Sequence, residues 1–302
     1  MNSLLNLKSL IHRYRVRVPA KVNLFLHVVG KTSSGYHLLE SVFVFVALYD
    51  TLEITVGSEK KGINFVKADT VCKHNNTIQR SIDHIMAVRS DITSNVYVRV
   101  FKNIPVSAGL AGGSADAAGI INLLGKLWNI GEHDIEKVAL KVGSDVPACI
   151  KSKTAFVSGT GENVECISDA FLPKHILLVG PNVELKTENV FSAYSGKKFS
   201  MKIGSLQQNY DEWMYIMKHS RNDLEDVAIS IIPEIGKILN VLNALDGCFI
   251  ARMSGSGSIC FALFHDEELS NKAANHLKSA HKEWYVYKTE ILTTGAQEAE
   301  AF

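Results

Sequence analysis

The residues with the plainest chemical meaning run from Pro105 to Ala118: Pro105-Val106-Ser107-Ala108-Gly109-Leu110-Ala111-Gly112-Gly113-Ser114-Ala115-Asp116-Ala117-Ala118. Eight of the eleven residues from Ala108 to Ala118 are Gly or Ala. Small side chains let a backbone take left-handed conformations and approach a ligand closely. The stretch lies between an alternating segment (Val96, Val98, Val100) and an apolar helical one (Ser114 to Trp128). A helix N-terminus entered in this way presents unpaired amide N–H groups and about half a positive charge, the chemistry of an anion site. A polyphosphate suits it best. A tight turn feeding a close-packed helix uses the same residue types, but the density of Gly and Ala favours phosphate. The loop does not match G-x-x-x-x-G-K-[ST]. With glycines at 109, 112 and 113 it does not match G-x-G-x-x-G either, so both common nucleotide-binding folds are disfavoured.

The elements that must hold this loop follow from hydrophobic periodicity. Residues 14–56 read as several strands: Val22, Leu24 and Leu26 alternate with Asn23, Phe25 and His27, and Ser33-Ser34-Gly35 makes a turn. Asn75 to Val88 reads as a helix on Ile78, Ile82, Ile85 and Met86, capped by Asn75 or Asn76. The segment from Ser114 to Trp128 is apolar on nearly every side and predicts a buried helix. His133 to Val142 predicts an amphipathic helix stopped by Gly143. Beyond about residue 165 a strand is expected at His175–Val179, then helices near 187–195, 205–218, 222–231 and 234–245. Cys248–Arg252 and Ile259–Phe264 read as strands around a Gly/Ser turn, followed by a helix near 267–281 and a strand near 284–292. Asn222-Asp223-Leu224-Glu225 reads as a capping box. The expected class is α+β, in two domains covering 1–165 and 166–302.

Composition limits the partners. The 32 Lys+Arg against 31 Asp+Glu leave a net charge of +1, which argues against a large basic nucleic-acid surface. The longest apolar run, Val42 to Leu48, is strand-sized and far short of the roughly 20 residues that cross a membrane. Five scattered cysteines (Cys72, Cys149, Cys166, Cys248, Cys260) predict free thiols in a reducing cytoplasm. The expected partner is a small molecule, with no nucleic acid and no membrane, and the sequence indicates no protein partner. One local asymmetry stands out, because the first carboxylate is Glu40 and six Lys or Arg precede it. An acid-poor start is also how a transit peptide looks. Strand-like alternation from Tyr14 to Val18 instead predicts that the segment belongs to the fold, where its positive charge suits an anionic ligand.

Three segments, in this order, resemble the three motifs of the GHMP kinases (galactokinase, homoserine kinase, mevalonate kinase, phosphomevalonate kinase). They are Pro19-Ala20-Lys21-Val22-Asn23-Leu24, the loop Pro105–Ala118, and Arg252-Met253-Ser254-Gly255-Ser256-Gly257. Gly35-Tyr36-His37, Val142-Gly143-Ser144-Asp145-Val146-Pro147 and Asn222–Glu225 narrow the resemblance. They point to the branch whose substrate carries cytidine diphosphate on a methylerythritol unit, in the non-mevalonate isoprenoid pathway. The resemblance implies a ribosomal-protein-S5-like N-terminal domain, a ferredoxin-like C-terminal domain and a site in the cleft between them.

For the site, the resemblance implies ATP as phosphoryl donor, together with Mg2+. Asp145 would be the general base, with Lys21 beside it. Pro105, Val106, Ser107, Ala108, Gly109, Leu110, Ala111, Gly112, Gly113, Ser114 and Ala115 would hold the phosphates, with Asn76 and Lys102 near the nucleotide base. Tyr36 would stack on cytosine, His37 hydrogen-bond it, and Phe191 and Thr187 flank it, while Asn23, Ser254 and Gly255 would line the substrate. No metal ligand is assigned: Ser114 could contribute a hydroxyl, but Asp116, the one carboxylate of the Gly loop, falls inside the helix and is not an evident ligand. On residue type alone, Lys21 reads as a solvated lysine, Asp145 as a turn former, Asn76 as an N-cap and Phe191 as a core residue. Two other functions remain open at this stage. One is a GHMP kinase for homoserine, mevalonate or a sugar, and the other an inactive member that senses a nucleotide or metabolite.

Overall fold

The computed structural model describes residues 11–57, 59–66, 77–194, 199–206, 209–293 and 297–302. The chain opens with two strands of twenty residues each, β1 (His12–Lys31) and β2 (His37–Val56), paired antiparallel across the Ser33-Ser34-Gly35 turn. The expectation of several strands over 14–56 is corrected. Pairing slips at Pro19/Ala20, Asn23/Phe25 and Val28/Gly30, and each bulge resets the two-residue alternation, so two long strands read as several short ones. The run from Val42 to Leu48 lacks alternation for another reason. Val42, Val44 and Val46 enter one core cluster and Phe45 another, as happens when a strand is covered on both faces.

There follow β3 (Gly62–Val66), α1 (Thr77–Val88), β4 (Val96–Phe101), α2 (Gly112–Leu127), α3 (Glu132–Val142), α4 (Val146–Lys151), β5 (Ala155–Gly159) and β6 (Asn163–Cys166). β5 and β4 share the second edge of β2, along Leu39–Phe43 and Thr51–Val56, and β3 runs parallel to β4. Val16, Val18, Leu52, Ile78, Ile120 and Val138 form the core between the helices and this sheet. The proposed caps Asn75 and Asn76 lie outside the described residues.

The second half comprises β7 (His175–Gly180), α5 (Thr187–Ala193), α6 (Tyr210–His219), α7 (Glu225–Ile231), α8 (Glu234–Asn243), β8 (Cys248–Met253), β9 (Cys260–Phe264), α9 (Glu267–Ala280) and β10 (Tyr285–Glu290). Its four strands are ordered β10-β7-β9-β8, all antiparallel. With helices after β7 and β9, this is the ferredoxin-like arrangement. α6 begins later than the sequence suggests, because Asn209 caps it by accepting the Glu212 amide at 3.0 Å. A last strand, β11 (Glu298–Ala301), returns to pair with β1.

One core cluster joins the halves: Val22, Leu24 and Val44 of the first sheet pack with Ile176, Trp213 and Phe261. The middle of β1 is thereby pressed against the turn between β8 and β9. The positive charge of the N-terminal segment is partly compensated, since Arg15 pairs with Glu53 (3.4 Å) and Glu300 (3.3 Å). Among the described residues no helix is long and apolar enough to cross a membrane.

Candidate active site

The loop before α2 is built from residues with positive φ: Ser107 (51°), Gly109 (78°) and Ala111 (53°). Ala111 precedes the helix, so Gly112 and Gly113 form its first turn, two residues earlier than the periodicity suggested, and no side chain caps that end. The first amides of α2 are therefore available to an anion. Gly113 is exposed, Gly112 and Ser114 are half-buried and Ala115 is buried. Pro105 is half-buried and Val106 is exposed.

Four successive loop carbonyls tie the motifs together. Leu185 N donates to Ser107 O (3.1 Å), Ile259 N to Ala108 O (3.2 Å), Ser254 Oγ to Gly109 O (2.9 Å) and Lys21 N to Leu110 O (3.1 Å). Gly109 is required twice over. Its φ is left-handed, and a Cβ there would stand 2.1 Å from Ser254 O.

Beside the loop, Lys21 Nζ lies 3.1 Å from Asp145 Oδ2, and it donates to Asn23 Oδ1 at 2.6 Å. The ammonium also sits 4.5 Å from the centre of the Phe43 ring, a cation–π contact. The Lys21 side chain is 4% exposed and that of Asp145 is 31% exposed, so the carboxylate is the member of the pair that reaches solvent. Asp145 stands at the N-cap of α4, yet its side chain makes no capping bond. It is oriented instead by Lys21. Asn23 is held through its other groups: its amide N donates to Ser254 Oγ (3.1 Å) and its Nδ2 to Ser41 Oγ (2.9 Å).

The third motif closes the other side. Gly255 has φ 56°, and a Cβ there would stand 3.2 Å from Asn23 Oδ1. Thr187 Oγ1 and Ser256 Oγ share a hydrogen bond of 2.8 Å, which links α5 to the Gly/Ser turn. The His37 ring lies 5.2 Å from that of Phe191 and 5.6 Å from that of Tyr194. Burial, helped by Lys31, lowers the His37 pKa, which favours the neutral imidazole with one donor and one acceptor. Tyr36 stands 69% exposed at the surface, and the ring against Phe191 is that of His37. Lys102 lies under the first turn of α2, its ammonium bonded to Asp50 and Asp116.

The Asn222–Glu225 segment is not a capping box. α7 begins at Glu225, with Leu224 before it. Asn222 Nδ2 donates to Met253 O (2.8 Å) and Gly255 O (2.7 Å), and Glu225 Oε2 accepts from Met253 N (2.9 Å). Asn222 Oδ1 accepts from Leu224 N (3.0 Å) at the start of the helix, while Nδ2 and Glu225 support the third motif, because the orphan backbone groups beside the glycine turn need partners. Sequence reasoning missed this role, and also Ser41, Ser256 and Tyr194. Ser256 was legible as part of the Gly/Ser turn; Tyr194 shared a helical face with Phe191.

Residues 76–153 match the family model described as GHMP kinases N terminal domain, and residues 204–283 that described as GHMP kinases C terminal. Fold and site thus define a GHMP kinase. A 4-diphosphocytidyl-2-C-methyl-D-erythritol kinase of Anaplasma phagocytophilum is 53% identical over 95% of this chain and 97% of its own length. That of Ehrlichia canis is 47% identical over 92% and 99%. A crystal structure of 4-(cytidine 5'-diphospho)-2C-methyl-D-erythritol kinase superposes with TM-score 0.72 at 27% identity, covering 92% of this chain and 98% of that one. Homoserine kinase from Cytophaga hutchinsonii superposes with TM-score 0.69 at 17% identity, covering 100% of this chain and 99% of that one, and shares the fold. The chain belongs to the 4-diphosphocytidyl-2-C-methyl-D-erythritol kinase family of GHMP kinases. It is an ATP-dependent kinase.

Proposed function

We infer that this chain transfers the γ-phosphoryl group of ATP to the 2-hydroxyl of 4-diphosphocytidyl-2-C-methyl-D-erythritol, in the non-mevalonate isoprenoid pathway. The observation that carries the reading is the Lys21–Asp145 pair at 3.1 Å, set beside the uncapped N-terminus of α2. ATP would lay its phosphates on the amides of Gly112 to Ser114, the next one, Ala115 N, already donating to Ala111 O at 2.9 Å. The tertiary hydroxyl would approach Asp145, its oxygen attacking the γ-phosphorus as the bond to the β-phosphate oxygen breaks. Asp145 orients that hydroxyl and takes its proton late, then releases it to solvent. Lys21, held by Asn23 and Phe43, orients the carboxylate and offsets charge on the transferred group.

A Mg2+ bound with the nucleotide would offset charge on its phosphate oxygens. Residues 105–115 offer no carboxylate, and Asp116 just beyond them is turned inward to Lys102, so phosphate oxygens and water are its natural ligands. His37 and Phe191 support recognition of the cytosine ring, the first by hydrogen bonds and the second by its face. The four described cysteines are free, which suits a reducing compartment, and we place the reaction in the cytoplasm.

The test is an ADP-release assay with the diphosphocytidyl substrate set against mevalonate and homoserine. Turnover is expected with the first alone, inhibited competitively by CDP. Turnover with homoserine or mevalonate, unaffected by CDP, would sink the substrate assignment.

A further inference from the structure

Beneath the first turn of α2 lies a group of charges that the reaction above does not use. The side chains of Lys102, Asp50 and Asp116 are 9%, 0% and 3% exposed. Lys102 Nζ donates to Asp50 Oδ2 and, at 2.8 Å, to Asp116 Oδ2. Asp50 Oδ1 is filled by the amides of Asn103 (2.6 Å) and Ile104 (2.9 Å). Among the described residues, Asp116 Oδ1 is buried without any hydrogen-bond partner. A bare carboxylate oxygen in a dry interior is costly when the group is ionised, and far less so when it is protonated. Lys102 therefore faces one fixed carboxylate, Asp50, and one protonatable carboxyl. Its Nζ comes within 3.3 Å of where a Gly112 Cβ would stand, directly under the amides of the nucleotide site.

We propose that Asp116 is a positioning residue of the nucleotide site, acting through Lys102 and taking up a proton from solvent when a polyphosphate binds at the N-terminus of α2. This rests on the nucleotide site proposed above. With Asp116 protonated, Lys102 and Asp50 cancel and the cluster is neutral. With Asp116 ionised, the cluster carries one net negative charge under the phosphates. Burial pushes the Asp116 carboxyl up to about 7, with Lys102 opposing and Asp50 adding to the shift. Both states are thus accessible near neutral pH. An arriving anion favours the neutral state further, so nucleotide affinity falls as pH rises through 7.

The other elements packed on α2 leave Asp116 as the titrating group. Cys149 of α4 lies near it, but burial pushes that thiol far up and keeps it neutral. Lys21 and Asp145, which pair with each other, also act on Cys149. β1 presents Val16 and Val18, and α1 and α3 present Ile78 and Val138.

The experiment is calorimetry of MgADP binding, at saturating Mg2+, in two buffers of different ionisation heat, for the wild type and Asp116→Asn. Asn keeps an acceptor for Lys102 and cannot ionise. The wild type is expected to take up more protons per nucleotide than the variant. Its affinity should fall about threefold from about pH 6.5 to about pH 8, the size of one screened charge interaction, while that of the variant stays level. Equal proton uptake by two proteins that both bind MgADP overturns the proposal. A wild type that does not bind MgADP removes the nucleotide site itself, and this inference with it. Should the variant fail to fold, a level wild-type affinity over the same range is enough to reject it.

Discussion

Lys21 is a buried ammonium with three dissimilar partners: the Asp145 carboxylate, the Asn23 amide oxygen and the Phe43 ring. Such a charge is tolerable only because its neighbours replace the water it lost. The same three contacts fix where the charge points, which matters more to a reaction than its mere presence. Asp145 has the complementary situation, one oxygen held by Lys21 and part of its surface open to solvent. Neither group lies among the loop amides that would bind phosphate. Lys21→Ala and Asp145→Asn should therefore leave nucleotide and substrate binding within about threefold of wild type. Each should lower kcat by about 10²–10⁴, the range for a lost general base or charge stabiliser. Single-turnover phosphorylation, with binding measured separately, distinguishes the two effects. Undiminished turnover in either variant removes that residue from the chemistry.

At the scale of elements, the loop and the Gly/Ser turn are one object held together by backbone. Gly109 shows how closely. Gly109→Ala meets a left-handed φ of 78° and a carbonyl oxygen 2.1 Å from the new methyl. Gly62→Ala is the control: its φ is 113°, but nothing lies within 4 Å. We expect about 1 kcal/mol of strain at Gly62 and about 3 kcal/mol or more at Gly109, where the Ser254 backbone must also move. Chemical denaturation measures both, and equal costs would contradict the close approach. The same elements show what the sequence reveals. The glycine loop, α1, α3 and the β-β-α-β run from Cys248 were legible, because periodicity and turn residues are local signals. The two long strands were not, since bulges at Asn23/Phe25 and Val28/Gly30 break the alternation of an unbroken strand. Asn222 and Glu225 matched a local capping pattern. Asn222 Oδ1 does accept locally, from Leu224 N at 3.0 Å, but its Nδ2 and the Glu225 carboxylate have partners about thirty residues away in β8 and the turn beyond it, and no local pattern reports that distance. Lys102 reads as a surface lysine because the carboxylates that bury it, Asp50 and Asp116, stand on two other elements.

For the whole molecule, the question is whether the two sheets are separate bodies or one. Val22, Leu24, Ile176 and Phe261 share a core cluster across them. The backbone continues the join: Leu26 N donates to Arg221 O (3.1 Å), Asp223 N to Leu26 O (2.8 Å) and Leu292 N to Phe45 O (2.8 Å). Asp223 is the densest point of this seam. Its Oδ2 accepts from Val28 N and Ser200 Oγ, both at 2.7 Å, and its Oδ1 from Arg221 Nε at 2.7 Å. Arg252 crosses in the other direction, donating to Leu24 O at 3.0 Å, and burial lowers its pKa to about 10. A core shared in this way leaves neither half able to bury its apolar surface alone, so unfolding should be a single cooperative transition. Asp223→Ala strips an acceptor from the Val28 amide on the strand that leads to His37. Its expected cost is about 1–3 kcal/mol. The midpoint of denaturation should fall without splitting, with far-UV dichroism and tryptophan fluorescence still coincident. KM for the cytidine substrate should rise more than KM for ATP, since β1 beyond Val28 leads to His37 and Phe191, proposed above to recognise the base, whereas the hydrogen bonds of Asp223 go to Val28, Ser200 and Arg221. Two resolved transitions, in the wild type or the variant, would show that the halves fold independently and that the seam does not couple them.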